Sequence, residues 1–309
     1  MGNDTDPEEL FAALQQLKLP SSVKLVAFGC GLSVSSNERI EYVDTPSFIA
    51  MDEPPLAALR KKRDASLCVA LRALNAETLD ALVSAGNTGA LVSAAKMTVG
   101  CFPGVLRPAL LAWLPTRREP VAVLDVGANV QVKAAHLVQF ALLGEAECRA
   151  RGIERPVVGL LNIGSEAMKG TSELQTAYRA LQAHSSASFK FLGNVEGKSA
   201  FDGDVHVLIT DGFTGNVFLK TTEGVAGFIL DLFGKQLNTL EQRLHHRPGA
   251  LLIGLKRLVL KCHGYASPQA IGNAVLAAAE MARNGFTQTF KNELDKNKIF
   301  AGTRKRISL

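Results

Sequence analysis

No run of this 309-residue sequence reaches the ~18 consecutive apolar residues that a transmembrane helix requires, so membrane contact, if it occurs, is peripheral. Aromatic residues make up 6% of the chain, with one Trp and three Tyr beside 15 Phe. Basic residues cluster only at Arg60-Lys61-Lys62-Arg63 and Arg304-Lys305-Arg306, and no aromatic side chains interleave with them to stack bases. The formal net charge of +5 therefore points to a small or protein-borne anion and away from nucleic acid. Five cysteines form no Cys-x-x-Cys pair and no secretory framework, which implies reduced, packing thiols in a cytoplasm. The polar, acidic N-terminus lacks the layout of a signal peptide, and Asp6 stands where a myristoylation signal needs Ser or Thr. No two histidines have metal-ligand spacing with a nearby acid. Walker, dinucleotide-binding and Gly-x-Ser-x-Gly patterns are also missing, so neither a metal nor an organic cofactor is expected.

What the sequence does contain is a repeated layout. An apolar, β-rich run ends in a cluster of Gly, Asn, Asp, Ser or Thr and is followed by a helical pattern. It occurs at Ala81–Val83 into Ser84-Ala85-Gly86-Asn87-Thr88-Gly89 and at Val121–Leu124 into Asp125-Val126-Gly127-Ala128-Asn129. It recurs at Val157–Leu161 into Asn162-Ile163-Gly164-Ser165-Glu166 and at Val205–Thr210 into Asp211-Gly212-Phe213-Thr214-Gly215-Asn216. This is the layout of an α/β/α protein with a mostly parallel sheet, whose ligands bind beyond the carboxyl ends of its strands. The four loops are expected to converge on one edge. With 47% hydrophobic residues the chain reads as a single domain over 1–309, in which 223–255 forms a helical subregion for a dimer or membrane contact.

The Ser84–Gly89 loop reads either as an ordinary strand-to-helix connection or as an anion site. In the second case Gly86 and Gly89 adopt positive φ, and Asn87 or Thr88 caps the helix. Asp52-Glu53-Pro54-Pro55 opens a helix whose apolar positions run from Leu56 to Leu74, placing Arg60, Lys61 and Lys62 inside it, either as a solvated face or turned toward phosphate. Arg107 enters a buried strand and would aim a bidentate donor at the strand ends. Lys169 and Lys220 are each expected in early helical turns, facing the site or solvent. His263 reads equally as a general acid or as a core histidine. Neutral donors, a few cations and Asp125, Glu166 and Asp211, with no nucleophile among them, suit phosphate binding and oxyanion stabilisation.

At these motifs the sequence resembles the bacterial phosphate acyltransferase family called PlsX, in its shorter chlamydial form. The matching stretches are Ser84–Leu91, Arg107-Pro108-Ala109, Asp125–Asn129, Leu160–Glu166 with Lys169-Gly170, Thr210–Val217 with Leu219-Lys220, and Lys261-Cys262-His263-Gly264. The resemblance implies the fold of the isocitrate dehydrogenase and phosphate acetyltransferase group, as a homodimer. It also implies attack of inorganic phosphate on fatty acyl–acyl carrier protein, with the acyl phosphate consumed by a membrane-bound glycerol-3-phosphate acyltransferase. For that chemistry Arg60, Lys61, Lys62, Ser84, Gly86, Asn87, Thr88 and Gly89 are expected to hold phosphate. Asn162, Asn216 and Lys220 are expected to line the thioester end beside Asp211, Thr214, Arg107, Asp125, Asn129, Glu166 and Lys169, and His263 to protonate the leaving sulfur. The family usually opens on a strand before the loop matching Met1–Asp4, and many members carry Asp at Gln131. A coenzyme A-dependent phosphate acetyltransferase and an inactive carrier-protein or membrane-binding module are the alternatives.

Overall fold

The computed structural model describes residues 6–184, 189–233 and 249–296. In chain order its elements are α1 (Pro7–Gln15), β1 (Leu25–Gly29), β2 (Ile40–Asp44), α2 (Pro55–Lys61), α3 (Ser66–Asn75), β3 (Ala81–Ser84) and α4 (Thr88–Thr98). There follow β4 (Ala109–Leu114), β5 (Val121–Leu124), α5 (Ala134–Ala150), β6 (Val157–Asn162), α6 (Ser172–His184), β7 (Lys190–Glu196) and β8 (Val207–Ile209). The last are α7 (Gly212–Phe233), β9 (Ala250–Ile253), β10 (Leu258–Lys261), α8 (Pro268–Arg283) and α9 (Phe286–Lys296).

Where the sequence suggests one domain, the chain divides into two compact units, 1–101 with 247–286 and 102–246 with 287–309. The first cannot be closed by its N-terminal stretch alone. Its strand β3 finds its partner late in the chain, pairing parallel with β10 so that Lys261 lies opposite Ser84, and β10 pairs antiparallel with β9. Strands β1 and β2 form a separate parallel pair. In the second unit the strand order is β4-β5-β8-β6-β7. Only β4 runs against its neighbour, and β5, β8, β6 and β7 are all parallel. All four residues of β5 are buried, which accounts for its unbroken apolar run, and most of α5 is buried too.

Local signals act as expected at several termini. Asp6 accepts hydrogen bonds from the Glu8 and Glu9 N–H groups, with Pro7 in the first turn of α1. Ser267 caps α8 through the Ala270 N–H. The segment read as one helix from Pro55 to Leu74 is two. The chain leaves helical geometry at Lys62 (φ −111°, ψ 62°), and the Ser66 N–H is taken by the Ser47 carbonyl before α3 begins. At the far end of 223–255, residues 250–253 form the buried strand β9 and not a helix. Arg243, His245, His246 and Arg247 lie outside the described residues, as do Met1–Asp4. No helix among the described residues is long and apolar enough to cross a membrane.

Candidate active site

In the second unit, three of the four polar loops follow adjacent parallel strands. Register pairs such as Val123↔Leu208 and Leu160↔Ile209 bring Asp125–Asn129, Asn162–Glu166 and Asp211–Asn216 to one edge of the sheet. Because β4 is antiparallel to β5, its entry at Arg107-Pro108 lies at that same edge. The fourth loop, Ser84–Gly89, belongs to the other unit.

Asp125 organises this edge from inside. Its carboxylate has no solvent exposure. Oδ1 accepts from the N–H groups of Leu110 (2.9 Å), Gly127 (3.1 Å) and Ala128 (2.9 Å), and Oδ2 from the Asn129 N–H (2.6 Å) and Asn129 Nδ2 (2.8 Å). Burial raises its pKa, and the hydrogen bonds from Ala128, Asn129, Leu110 and Gly127 oppose that rise. Asn129 donates its remaining amide proton to the Pro108 carbonyl at 2.9 Å. Both residues, expected to touch substrate, have their side chains committed to shaping the loop.

Helix α7 is seated on this loop by two glycines that carry no signal of their own in a single sequence. A Cβ at Gly215 would lie 1.9 Å from the Asp125 carbonyl oxygen, and one at Gly212 would lie 2.7 Å from that of Asn129. The close approach sets Asn216 over Gly127, whose φ of +142° favours glycine. Asp211 is the cap of α7: Oδ1 accepts from the Phe213 and Thr214 N–H groups and Oδ2 from the Thr214 hydroxyl at 2.7 Å. The Asp211 side chain, expected beside the thioester end, is engaged in capping the helix, and Thr214 is part of that cap. Lys220 is exposed more than two turns into α7. Lys169 precedes α6 in a loop, 4.0 Å from Glu166, so neither lysine lies in a first helical turn. Asn162 donates to the Lys169 carbonyl at 3.0 Å, and Asn194 holds the Glu166 carbonyl at 2.7 Å. The exposed Ile163 and Phe213 flank these polar groups.

In the first unit Asn87 caps α4, accepting the Ala90 N–H at 3.0 Å. Its amide nitrogen donates to the carbonyls of Ala50, Met51 and Glu53, so the side chain holds chain segments together. The Thr88 and Gly89 N–H groups have no acceptor among the described residues, as the first turn of a helix allows. Ser84 Oγ accepts the Gly86 N–H at 3.3 Å. The positive-φ glycines of the strand-end loops are Gly127 and Gly170, not Gly86 or Gly89. Gly89 is required for packing instead, since a Cβ there would lie 2.6 Å from Pro55 Cγ on α2. Arg60 and Lys61 are exposed at the end of α2. Lys62 is engaged elsewhere, 2.6 Å from Glu53 and 2.9 Å from the Phe48 carbonyl. The Ala50 N–H, then Lys62, hold the Glu53 carboxyl below its usual range.

Sequence reasoning passed over Lys261 as a site residue. It is 7% exposed, and its ammonium donates to the carbonyl of Cys262 and, at 3.4 Å, to that of Ala85 within the glycine loop. Its place two residues before His263 was the available signal. His263 is half-buried and stacks on Tyr265 at 5.4 Å.

Comparison with known proteins agrees with these motifs. A family model described as fatty acid synthesis protein matches residues 1–289. A phosphate acyltransferase of Chlamydia pneumoniae is 42% identical, over 92% of this chain and 93% of its own. One from Thermotoga neapolitana is 37% identical, over 96% and 94%. Two solved structures share the fold. The EutD phosphotransacetylase from Staphylococcus aureus has a TM-score of 0.58 and 18% identity, over 89% of this chain and 91% of its own. A branched-chain phosphotransacylase from Enterococcus faecalis has a TM-score of 0.61 and 14% identity, over 91% and 97%.

Proposed function

The chain belongs to the fatty acid synthesis protein family, and from that premise we propose that it transfers a fatty acyl group from acyl carrier protein to inorganic phosphate. The observation that carries this reading is the likeness to phosphate acyltransferases along nearly the whole chain.

The side chains fit the chemistry. Phosphate is its own nucleophile, so no protein nucleophile is needed. A phosphate oxygen attacks the thioester carbonyl, the carbonyl oxygen gains negative charge, and collapse breaks the C–S bond to give acyl phosphate and a thiol. Thiolate is a good leaving group, which leaves positioning and charge stabilisation as the main tasks. The Thr88 and Gly89 N–H groups, with Arg60 and Lys61, hold phosphate. The amides of Asn162 and Asn216 and the Lys220 ammonium serve the thioester end, and Arg107 holds an anionic group of the substrates. His263 supplies the proton to the departing sulfur. The surplus of positive charge favours encounter with an acidic carrier protein. The product feeds a membrane-bound glycerol-3-phosphate acyltransferase in phospholipid synthesis, with the chain acting as a homodimer in the cytoplasm, in contact with the bilayer surface.

The test is to mix the protein with phosphate and palmitoyl–carrier protein and trap acyl phosphate as its hydroxamate. Product is expected. Turnover of acetyl-coenzyme A alone would mark a phosphate acetyltransferase instead, and no product from any thioester would overturn the enzymatic reading.

A further inference from the structure

Gln139 stands on α5 among Val138, Phe140 and Ala141, and like Phe140 and Ala141 it has no solvent exposure. An amide in such surroundings is destabilising if its hydrogen bonds are unmet. Here they are met by a single loop. Oε1 accepts from the Leu106 and Arg107 N–H groups, each at 3.1 Å, and Nε2 donates to the Gly104 carbonyl at 3.2 Å. Leucine would fill the same place in the helix more cheaply, so the amide's contribution is the geometry of residues 104–107.

That geometry ends on a cation. Arg107 lies at the sheet edge where the strand-end loops emerge, and one guanidinium nitrogen donates to the Gln131 carbonyl at 3.2 Å. Its other guanidinium N–H groups have no acceptor among the described residues. The backbone is therefore pinned from below by Gln139, one corner of the fork is tethered to Gln131, and the rest of a planar donor set is left to accept a ligand at that edge. Such a fork suits two oxygens of one phosphoryl group.

We propose that Gln139 is a positioning residue for Arg107, whose guanidinium holds a phosphoryl oxyanion of the substrates. This rests on the function proposed above only in placing Arg107 at the substrate site. The oxyanion belongs either to inorganic phosphate or to the phosphate ester of the pantetheine arm that carries the acyl group.

The experiment follows the Arg107 Nε–H resonance of the full 15N-labelled chain, identified by its loss in Arg107→Ala. It is titrated separately with inorganic phosphate and with phosphopantetheine. One titrant should shift it in the wild-type chain, naming the source, and Gln139→Met should weaken that response about tenfold. Equal responses in both chains, or no shift with either titrant, overturn the proposal. In turnover, Gln139→Met should raise the KM of the corresponding substrate with kcat held within about twofold. The effect should vanish in the Arg107→Ala background, and additive effects overturn the proposal. Should Gln139→Met not fold, the wild-type chain still decides. The Leu106 and Arg107 amide protons must exchange as slowly as the core of α5, and exchange at the rate of an open loop overturns the proposal. Absence of acyl phosphate in the wild-type assay would sink the enzymatic reading while the titration continues to report on this one.

Discussion

A carboxylate without solvent exposure survives in a protein interior only where donors replace its water, and Asp125 is supplied with five. In Asp125→Asn one oxygen becomes an amide nitrogen, which cannot accept. Either Asn129 or the Leu110, Gly127 and Ala128 N–H groups then lose their partner. The substitution should destabilise the chain by about 3 kcal/mol, measurable as a lower urea midpoint. Glu53 gives a pH-dependent counterpart. Its carboxyl is held below its usual value by the Ala50 N–H and by Lys62. The resulting stabilisation is fully present above its unfolded-state value and is lost as pH falls through the folded one. Lys62→Met removes the second cause, so an NMR titration should find the Glu53 midpoint moved up toward the usual range. His206 works in the same direction for a different reason. Burial lowers its pKa from 6.5, and its Nδ1 accepts the Val157 N–H, a role open only to the neutral ring. Stability from this bond is complete above about pH 6.5 and declines as pH drops toward the lowered value. Burial also pushes the Cys148 thiol to about 12 and that of Cys262 to about 11. Both should resist alkylation at pH 8 until the chain unfolds.

Among the elements, α7 shows most plainly what could and could not be read beforehand. Its start was legible because Asp211 and Thr214 carry capping chemistry, and β5, β6 and β8 were legible because an apolar run ending in Gly, Asn or Asp is a strong strand-end signal. The need for glycine at 212 and 215 was hidden, since it arises from the Asp125–Asn129 backbone more than 80 residues earlier in the chain. Gly215→Ala should cost more than the about 1–3 kcal/mol of ordinary overpacking, because the obstacle is a carbonyl oxygen that cannot rotate away. The break between α2 and α3 was equally invisible: the apolar spacing continues through it, while Lys62 leaves helical geometry and its side chain reaches back to Glu53. Strand β7 went unread because its exposed Lys190 and Leu192, and Gly193 at φ +106°, leave no alternation to detect. The positions of the strand-end loops were legible, and the hydrogen bonds their side chains make were not. Asp125, Asn129, Asp211 and Asn87 belong to residue types that bind ligands in some sites and backbone in others, and only the hydrogen bonds decide which. Along α7 Phe213, Val217, Val225, Phe228 and Leu232 are exposed at spacings that suit one face. If that face meets a second copy, Phe228→Asp with Leu232→Asp should turn a dimer into a monomer in light scattering. An unchanged mass would remove α7 from the dimer contact.

At the scale of the molecule, both units are built from two separated lengths of chain. Strand β3 has β10 as its neighbour in the first unit, and the Cys262 N–H completes the junction by donating to the Ser84 carbonyl at 2.9 Å. A fragment ending at Cys101 lacks that neighbour and should show no cooperative thermal unfolding by circular dichroism. The same interleaving bears on how the chain is made. During synthesis β3 and its glycine loop leave the ribosome long before β10, and at about 5–20 residues per second the wait is roughly ten to thirty seconds. For that interval an apolar strand edge is without its template and open to capture by other nascent chains. Strands β4 to β8 emerge in one uninterrupted passage and can pair as they appear. Slowing translation between residues 101 and 258 should therefore lower the soluble yield, while slowing it after Lys261 should not.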